Sequence, residues 1–444
     1  MRQQGKEMLD YKRLWEESLK HIERLEAIIK KLEARIVDLE RRLGLNSDNS
    51  SKPPSSDPWR EPKSLRTKGK NTSGGQKGHK GYTLEQVEKP SSAITHQIGN
   101  CEKCGKSLSD CKPADYLKRQ VFDMLRPNIE VVEHRVNTKI CSCGHHNKAC
   151  FPSKVSASVQ YGPRIKALAV YLSNQQLLPE DRLQQTFEDV FDLPIATATL
   201  AKMNKDFSDK IEEKQNEVLS QLKTEEVKNL DETGIRIGGK TNWLHVISND
   251  SMTHYRVSKK RENLLEGIQG VMVHDHWKPY FTIPNVQHAL CNAHHLRELK
   301  ALEEIEKEPW SFKMSRLLRI LSRIKDPVLA KVSIRYDQII ENGLSFHENK
   351  EAIGKRKKRT GHNLILRLKK HKDAVLRFLS NPKVPFTNNQ AEQDIRMMKV
   401  KQKISGGFRS TDGAETFCTI RGFLSTQRKQ KNNIFDAIQL ALAQ

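Results

Sequence analysis

Three carboxylates sit in short segments whose texture suits metal-assisted chemistry: Asp231 in VKNLDETGIRI, Asp275 in VMVHDHW and Glu392 in NNQAEQDIRMMKVKQK. Two carboxylates about 4 Å apart repel by roughly 4 kcal/mol at an effective dielectric near 20, so such a cluster persists only with a cation. Two Mg²⁺ (or Mn²⁺) ions would relieve that repulsion, activate a water or hydroxyl, and stabilise the leaving oxygen of an in-line phosphoryl displacement. With 54 acids in the chain, residue type alone selects no triad; the elements that carry the three must do so.

Thiols form a second set. Cys101-x-x-Cys104-Gly105 and Cys141-x-Cys143-Gly144 read as two knuckles for one Zn²⁺, because tetrahedral zinc takes four soft ligands and a short turn brings two sulfurs to one ion. The second spacing is tighter than C-x-x-C, so His145 or His146 could replace a thiolate, while Cys111 and Cys150 look spare. A four-thiolate site leaves no open position, which gives the zinc a structural role. Cys291-x-x-His294 reads as packing and hydrogen bonding rather than a second metal or DNA site, since no further ligand pair is evident.

The positioning elements can be read from periodicity. From Glu226, the segments VKNLDETGIRI, TNWLHVISN and MTHYRVSK alternate as strands, joined by hairpin-type turns at Gly238-Gly239-Lys240 and Asn249-Asp250-Ser251. VMVHDHW and VQHALC follow as strands, and a long helix opens at Ala293. Three antiparallel strands, then strands alternating with helices, predict an α/β layer of RNase H type. There a carboxylate on the first strand lies beside one at the end of the fourth, the places of Asp231 and Asp275. Asn388 and Asn389 would cap a helix that holds Glu392 in its first turn. Arg396, Lys399 and Lys403 fall on the face of Glu392 and suit a DNA backbone, with Ala391, Ile395 and Met398 forming an apolar face beside it. Glu232 should point away from Asp231, to the other side of the strand.

The whole chain carries 77 Lys+Arg against 54 Asp+Glu, a net charge of +23, which calls for a polyanionic partner such as nucleic acid or an anionic membrane. No stretch approaches the roughly 18–20 apolar residues of a membrane span, and the opening MRQQGKEMLDYKRLW lacks the apolar region of a signal peptide. A cytoplasmic, nucleoid-associated protein without a membrane partner is expected, and eight cysteines in such a chain point to metal ligation.

The expected architecture is multidomain α+β. Residues 1–45 form a coiled coil for self-association, with Met8, Trp15, Ile22, Ile29, Ile36 and Leu43 at a and Tyr11, Ser18, Leu25, Leu32 and Leu39 at d. Residues 46–96 are a flexible basic linker and DNA-binding arm bearing Lys68, Lys70, Lys77 and Lys80, rich in Pro, Ser and Gly. A zinc-ribbon-like domain spans 97–152, with KRQVFDM and NIEVVEHRVNTKI as strands between the knuckles. Residues 153–224 are helical, either a helix-turn-helix or a connector. The catalytic core occupies 225–301 and 381–408, split by a helical insertion at 302–380 whose KRKKR stretch (355–359) would clamp DNA, and 409–444 form a C-terminal helical element.

Several segments together resemble the insertion sequence 66 family of bacterial transposases, over nearly the whole chain. They are NSSKPPSSD (49–57), GGQKGHKG (74–81), the cysteine knuckles, LDETG (230–234), VHDHWKPY (273–280), HALCNAHHLRELK (288–300), FTNNQAEQDIR (386–396) and GGFRSTDGAETF (406–417). The resemblance implies that Asp231, Asp275 and Glu392 are the family's DDE triad. It also implies Mg²⁺-dependent hydrolysis and strand transfer at the terminal inverted repeats of an element, with target DNA and accessory proteins of the same element as partners. His276 stands where many members have a small residue, and the second knuckle is compressed. A catalytically idle, DNA-binding repressor of the same descent is the other reading; the intact triad favours the enzyme.

Overall fold

The computed structural model describes residues 2–50, 84–123, 127, 129–262, 265–324, 327–348 and 359–443. Lys68, Lys70, Lys77 and Lys80 lie outside them, as do residues 355–358 of the KRKKR stretch. The chain divides into two compact units, Met1–Trp59 with Glu133–Gln444, and Arg60–Val132.

The smaller unit contains the first knuckle. Its turn is closed by the Gly105 amide donating to the Cys101 carbonyl at 2.8 Å and the Cys101 amide donating to Lys106 at 2.9 Å. The KRQVFDM strand expected here does not form: residues 118–123 have no ladder partner, and Val121 is exposed. Branched residues favour strands only where a neighbour and a packed face reward them.

In the larger unit, a helix α1 (Arg2–Gly44) opens the chain. Its end is anchored by Arg41, which donates to Glu306 at 3.0 Å, and by Asn49, whose amide donates to the Gly44 carbonyl and to Glu304. A small hairpin, β1 (Thr138–Ile140) and β2 (His146–Lys148), carries the second knuckle at its turn. Of the expected NIEVVEHRVNTKI strand, only these last three residues pair.

Three helices follow: α2 (Pro163–Val170), α3 (Glu180–Phe191) and α4 (Thr197–Thr224). α3 and α4 have the length and spacing of a helix-turn-helix, but α4 buries a stripe from Leu200 through Phe207 and Ile211 to Leu222. Its inner face is taken up by packing.

The central sheet has five strands, β3 (Val227–Ile237), β4 (Lys240–Ser248), β5 (Thr253–Ser258), β6 (Val271–His274) and β7 (Gln287–Leu290). Their order is β5-β4-β3-β6-β7. β3, β4 and β5 pair antiparallel through the two expected hairpins, whereas β6 joins β3, and β7 joins β6, in parallel. One face packs Leu230, Ile247 and Met272 on Val218 and Leu222 of α4. The other packs Ile235, Leu244 and Val246 on Ala391, Ile395 and Met398 of a later helix, α10 (Asn389–Ser405).

Between β7 and α10 lie α5 (Asn292–Ala301), α6 (Pro309–Leu321), α7 (Leu329–Glu348), α8 (Thr360–Lys370) and α9 (Lys372–Ser380). They share their own core of Leu299, Trp310, Met314, Tyr336, Ile340 and Leu364, so the insertion is a packed helical body. α11 (Thr411–Lys429) runs along β5, and α12 (Ile434–Ala443) closes the chain against α2. Among the described residues, no helix is long and apolar enough to cross a membrane.

Candidate active site

The site forms where β3, β6 and α10 meet. β3 and β6 are in parallel register with Asn229 opposite Val273, and two residues further along each strand come Asp231 and Asp275. The ladder ends before these two positions, but the charge of Asp275 reaches the Asp231 carboxyl, which places the two acids near each other. Asp231 accepts the Glu232 amide at 2.9 Å, and Asp275 accepts the Trp277 amide at 2.9 Å as the chain turns off β6. That turn is held from behind: the His274 ring Nδ1 donates to the Asp275 carbonyl, and its Nε2 accepts from His288 at 3.0 Å.

α10 brings the third carboxylate. Asn388 is its N-cap residue, but its side chain does not cap the helix. Instead the amide donates to the Leu230 carbonyl at 2.7 Å and accepts from the Asn229 amide at 2.8 Å. The start of α10 is thereby fastened to β3 beside Asp231, with Glu392 in the first turn. The other end is fixed as well: Gly406 terminates α10 with a left-handed φ of 70°, and a Cβ on Gly407 would lie 2.7 Å from the Arg236 carbonyl of β3. Only glycine allows that approach.

The electrostatics register this convergence. Burial, and then the negative charges of Glu232, Asp275 and Glu392, push the Asp231 carboxyl well above the usual carboxylate range. The Oε1 atom of Glu392 is buried without a hydrogen-bond partner. Carboxylate oxygens are the donors that a hard divalent cation takes, and Asp231, Asp275 and Glu392 are of that type.

Glu232 points away, as its alternation requires. It is buried on the Leu230 face and accepts from the Tyr280 hydroxyl and from Arg261, at 3.0 Å from Nε. The Arg261 guanidinium stacks between Trp243 and Trp277, at 4.9 and 4.3 Å from the ring centroids. This arrangement ties the segment after Asp275 to β3 and β4. Burial raises the Glu232 pKa, while Tyr280 and Arg261 oppose the rise.

Around Glu392 the structure assembles residues that sequence spacing left apart. Cys291, at the N-cap of α5, is buried and its sulfur accepts the Asn388 amide at 3.1 Å, the hydrogen-bonding role expected for it. His294 and Arg297 flank the carboxylate, with Nδ1 3.8 Å from Oε1 and the guanidinium 4.0 Å from Oε2. Glu392, about a hundred residues away in sequence, is the further partner that the Cys-x-x-His pair lacked on paper.

Of the basic residues on α10, Arg396, Lys399 and Lys403 are all exposed, as their spacing requires. Lys399 also donates to the Gly234 carbonyl at 3.0 Å, which holds its ammonium over β3. The two knuckles fall in different units. In each, the first thiol is held below its ordinary pKa chiefly by an amide of its own turn: that of Cys104 for Cys101, and that of Cys143 for Cys141. Anion-stabilising turns of this kind favour thiolate, the form that binds metal.

The comparisons with known proteins fall on this same region. A family model described as Transposase IS66 family matches residues 158–416, more than half of the chain. The chain belongs to the IS66 transposase family. The matched segment starts ahead of α2, contains β3 to β7, the helical body and α10, and ends within α11. The family is one of DDE transposases, phosphoryl-transfer enzymes that act on DNA with a divalent metal. A family of unknown function (DUF6444) matches residues 6–85. A curated relative, the uncharacterized protein y4jO of Sinorhizobium fredii, is 31% identical over 134 residues, which are 30% of this chain and 37% of that protein's length.

Proposed function

We propose that this chain is the transposase of an insertion element, and that Asp231, Asp275 and Glu392 are its catalytic carboxylates. The observation that carries the reading is the Asn388 bridge. It fastens the first turn of α10 to Leu230 and Asn229, next to Asp231 on β3. Burial first, and then the charges of Glu232, Asp275 and Glu392, raise the Asp231 pKa, which supports this reading. A protein keeps such an arrangement for function rather than stability.

Asp231, Asp275 and Glu392 would hold two Mg²⁺ ions, which supply Lewis acidity to the scissile phosphate and lower the pKa of the attacking water or 3′-hydroxyl. The residues of the chain do the positioning. Asn388 and Cys291 set the first turn of α10; Arg261, Trp277 and Tyr280 set the loop after Asp275. Arg396, Lys399 and Lys403 continue the Glu392 face, where they would take the phosphates of the bound strand. Lys68, Lys70, Lys77 and Lys80 of the arm would add to that contact, and Cys101, Cys104, Cys141 and Cys143 would bind one structural zinc. The substrate in this reading is the terminal inverted repeats of the element and then the target DNA. Accessory proteins of the element would join the assembly.

The test is cleavage of a DNA fragment carrying the inverted repeats that flank the gene, incubated with the full chain and Mg²⁺. Nicks at the repeat ends, followed by joining of the 3′-ends to a second DNA, are expected. Binding to these ends without any strand cleavage would instead describe a repressor.

A further inference from the structure

Cys291, His294 and Glu392 each offer a ligand atom, and the three atoms lie within 4.8 Å of one another. We propose that they form a second cation site, for a borderline-soft divalent ion such as Zn²⁺, and that this site shares Glu392 with the hard-cation site of the triad. The sharing rests on the triad reading given above; the site itself does not.

The donor set decides the ion. A thiolate, an imidazole and a carboxylate are zinc ligands, whereas Mg²⁺ takes oxygen and keeps its waters. Bond lengths of about 2.3 Å to sulfur and 2.0–2.1 Å to nitrogen put neighbouring ligands of a tetrahedral ion about 3.5 Å apart. The cluster therefore has to contract by about an ångström, within reach of side-chain rotation. Its backbone is already fixed, since Cys291 caps α5, His294 lies in its first turn, and Glu392 lies in the first turn of α10.

Two atoms point to a missing partner. His294 Nδ1 and Glu392 Oε1 are both buried without a hydrogen bond and face each other at 3.8 Å. Buried polar atoms seldom go unsatisfied, and one cation between them would satisfy both. Burial pushes the Cys291 thiol up to about 11, with the backbone amide of Asn388 on the sulfur opposing the rise, so the ion has to displace that proton. Arg297 attends the other carboxylate oxygen, leaving Oε1 for the ion. Binding exchanges the Cys291 thiol proton, released to solvent, for the sulfur–metal bond. Three protein ligands leave a fourth position for water or a DNA oxygen. Zinc held here draws Glu392 away from Asp231 and Asp275, so zinc would silence strand cleavage.

The test uses the full chain, reduced, equilibrated with buffered Zn²⁺ and freed of unbound metal. Zinc per chain is counted for the wild type, Cys291→Ser and His294→Ala. His294 is partly exposed, so His294→Ala is expected to fold even where a change at buried Cys291 is not tolerated. The wild type should hold one more zinc than either variant; equal counts in wild type and folded His294→Ala overturn the site. With Co²⁺ in place of zinc, a thiolate-to-metal absorption that disappears in Cys291→Ser supports sulfur ligation, and an unchanged spectrum contradicts it. Added zinc should lower Mg²⁺-supported cleavage by the wild type at least tenfold and spare His294→Ala, each measured against its own zinc-free rate. An extra zinc without that inhibition overturns the sharing of Glu392, and chains inert in Mg²⁺ alone count against the triad while the metal count still decides the site.

Discussion

Asn388 bonds the strand beside it rather than the helix it begins, and both its partners are buried main-chain or amide groups of β3. Replacing it with Ala leaves the Leu230 carbonyl and the Asn229 amide without that partner, each costing about 1–3 kcal/mol. Asn388→Ala should therefore lower the denaturation midpoint and also reduce cleavage, since Glu392 loses its anchor. Calorimetry and a cleavage assay on one preparation check both; a destabilised protein with full activity would place the anchor elsewhere. The histidines give a pH dependence. Burial holds His274 and His295 down to about 3 and His245 down to about 4. The folded chain keeps these rings neutral, whereas the unfolded chain protonates them below about 6.5, so stability is lost as pH falls from there. At about pH 5.5 each ring costs about 1.4 kcal/mol, and denaturant melts at two pH values should show that fall. His245→Gln should flatten it; an unchanged slope would mean that this ring is protonated in the fold. At this scale the sequence was informative about acids and silent about their neighbours. Strand order and helix phase pointed to Asp231, Asp275 and Glu392, and the family resemblance singled them out among the 54 acids. Asn388 read as an ordinary cap, and Cys291 and His294 as a pair without a partner, because their counterparts are long-range and no local period encodes them.

Among the elements, those with a strong period were legible. β3, β4 and β5 alternate and are joined by glycine and asparagine turns, and all three hairpin strands form where expected. KRQVFDM has the same local texture but forms no ladder over its described residues; Gln120 bonds Val87 through its side chain instead. The C-terminal part of α4 packs under the sheet, which its helix-turn-helix spacing did not reveal. α1 carries its apolar seam in the open, with Ile29 and Leu32 both more than half exposed. An Ile/Leu seam of that length is a surface for a second helix. Deleting residues 1–45 should convert a self-associated protein to a smaller species in light scattering; an unchanged mass would assign the seam another partner. On α10, Lys399 and Lys403 follow Glu392 on one exposed face. Changing both to Ala should reduce the slope of log affinity against log salt by up to about two, one for each phosphate no longer neutralised. An unaltered slope would put DNA on a different face, and the bond of Lys399 to Gly234 would then be its whole role.

For the molecule as a whole, a net charge of +23 suits the DNA on which its family acts, and in the proposed function the acids of β3, β6 and α10 are where the bound strand would react. The helical body between β7 and α10 accounts for most of the over one hundred residues between Asp275 and Glu392. It folds on its own core and returns the chain to the sheet at Asn388. The central claim is that the three carboxylates carry the chemistry. Its most direct test is end cleavage and strand transfer by Asp231→Asn, Asp275→Asn and Glu392→Gln, with Glu232→Gln as the control on the opposite face. Each triad change keeps size and hydrogen bonding but removes charge, and should slow both steps at least about 10²-fold, or about 2.7 kcal/mol, while DNA binding persists. Glu232→Gln should lose less activity, although Arg261 and Tyr280 lose a charged partner. Undiminished cleavage by any one of the three, on matched DNA ends with Mg²⁺, would contradict the role given to that residue.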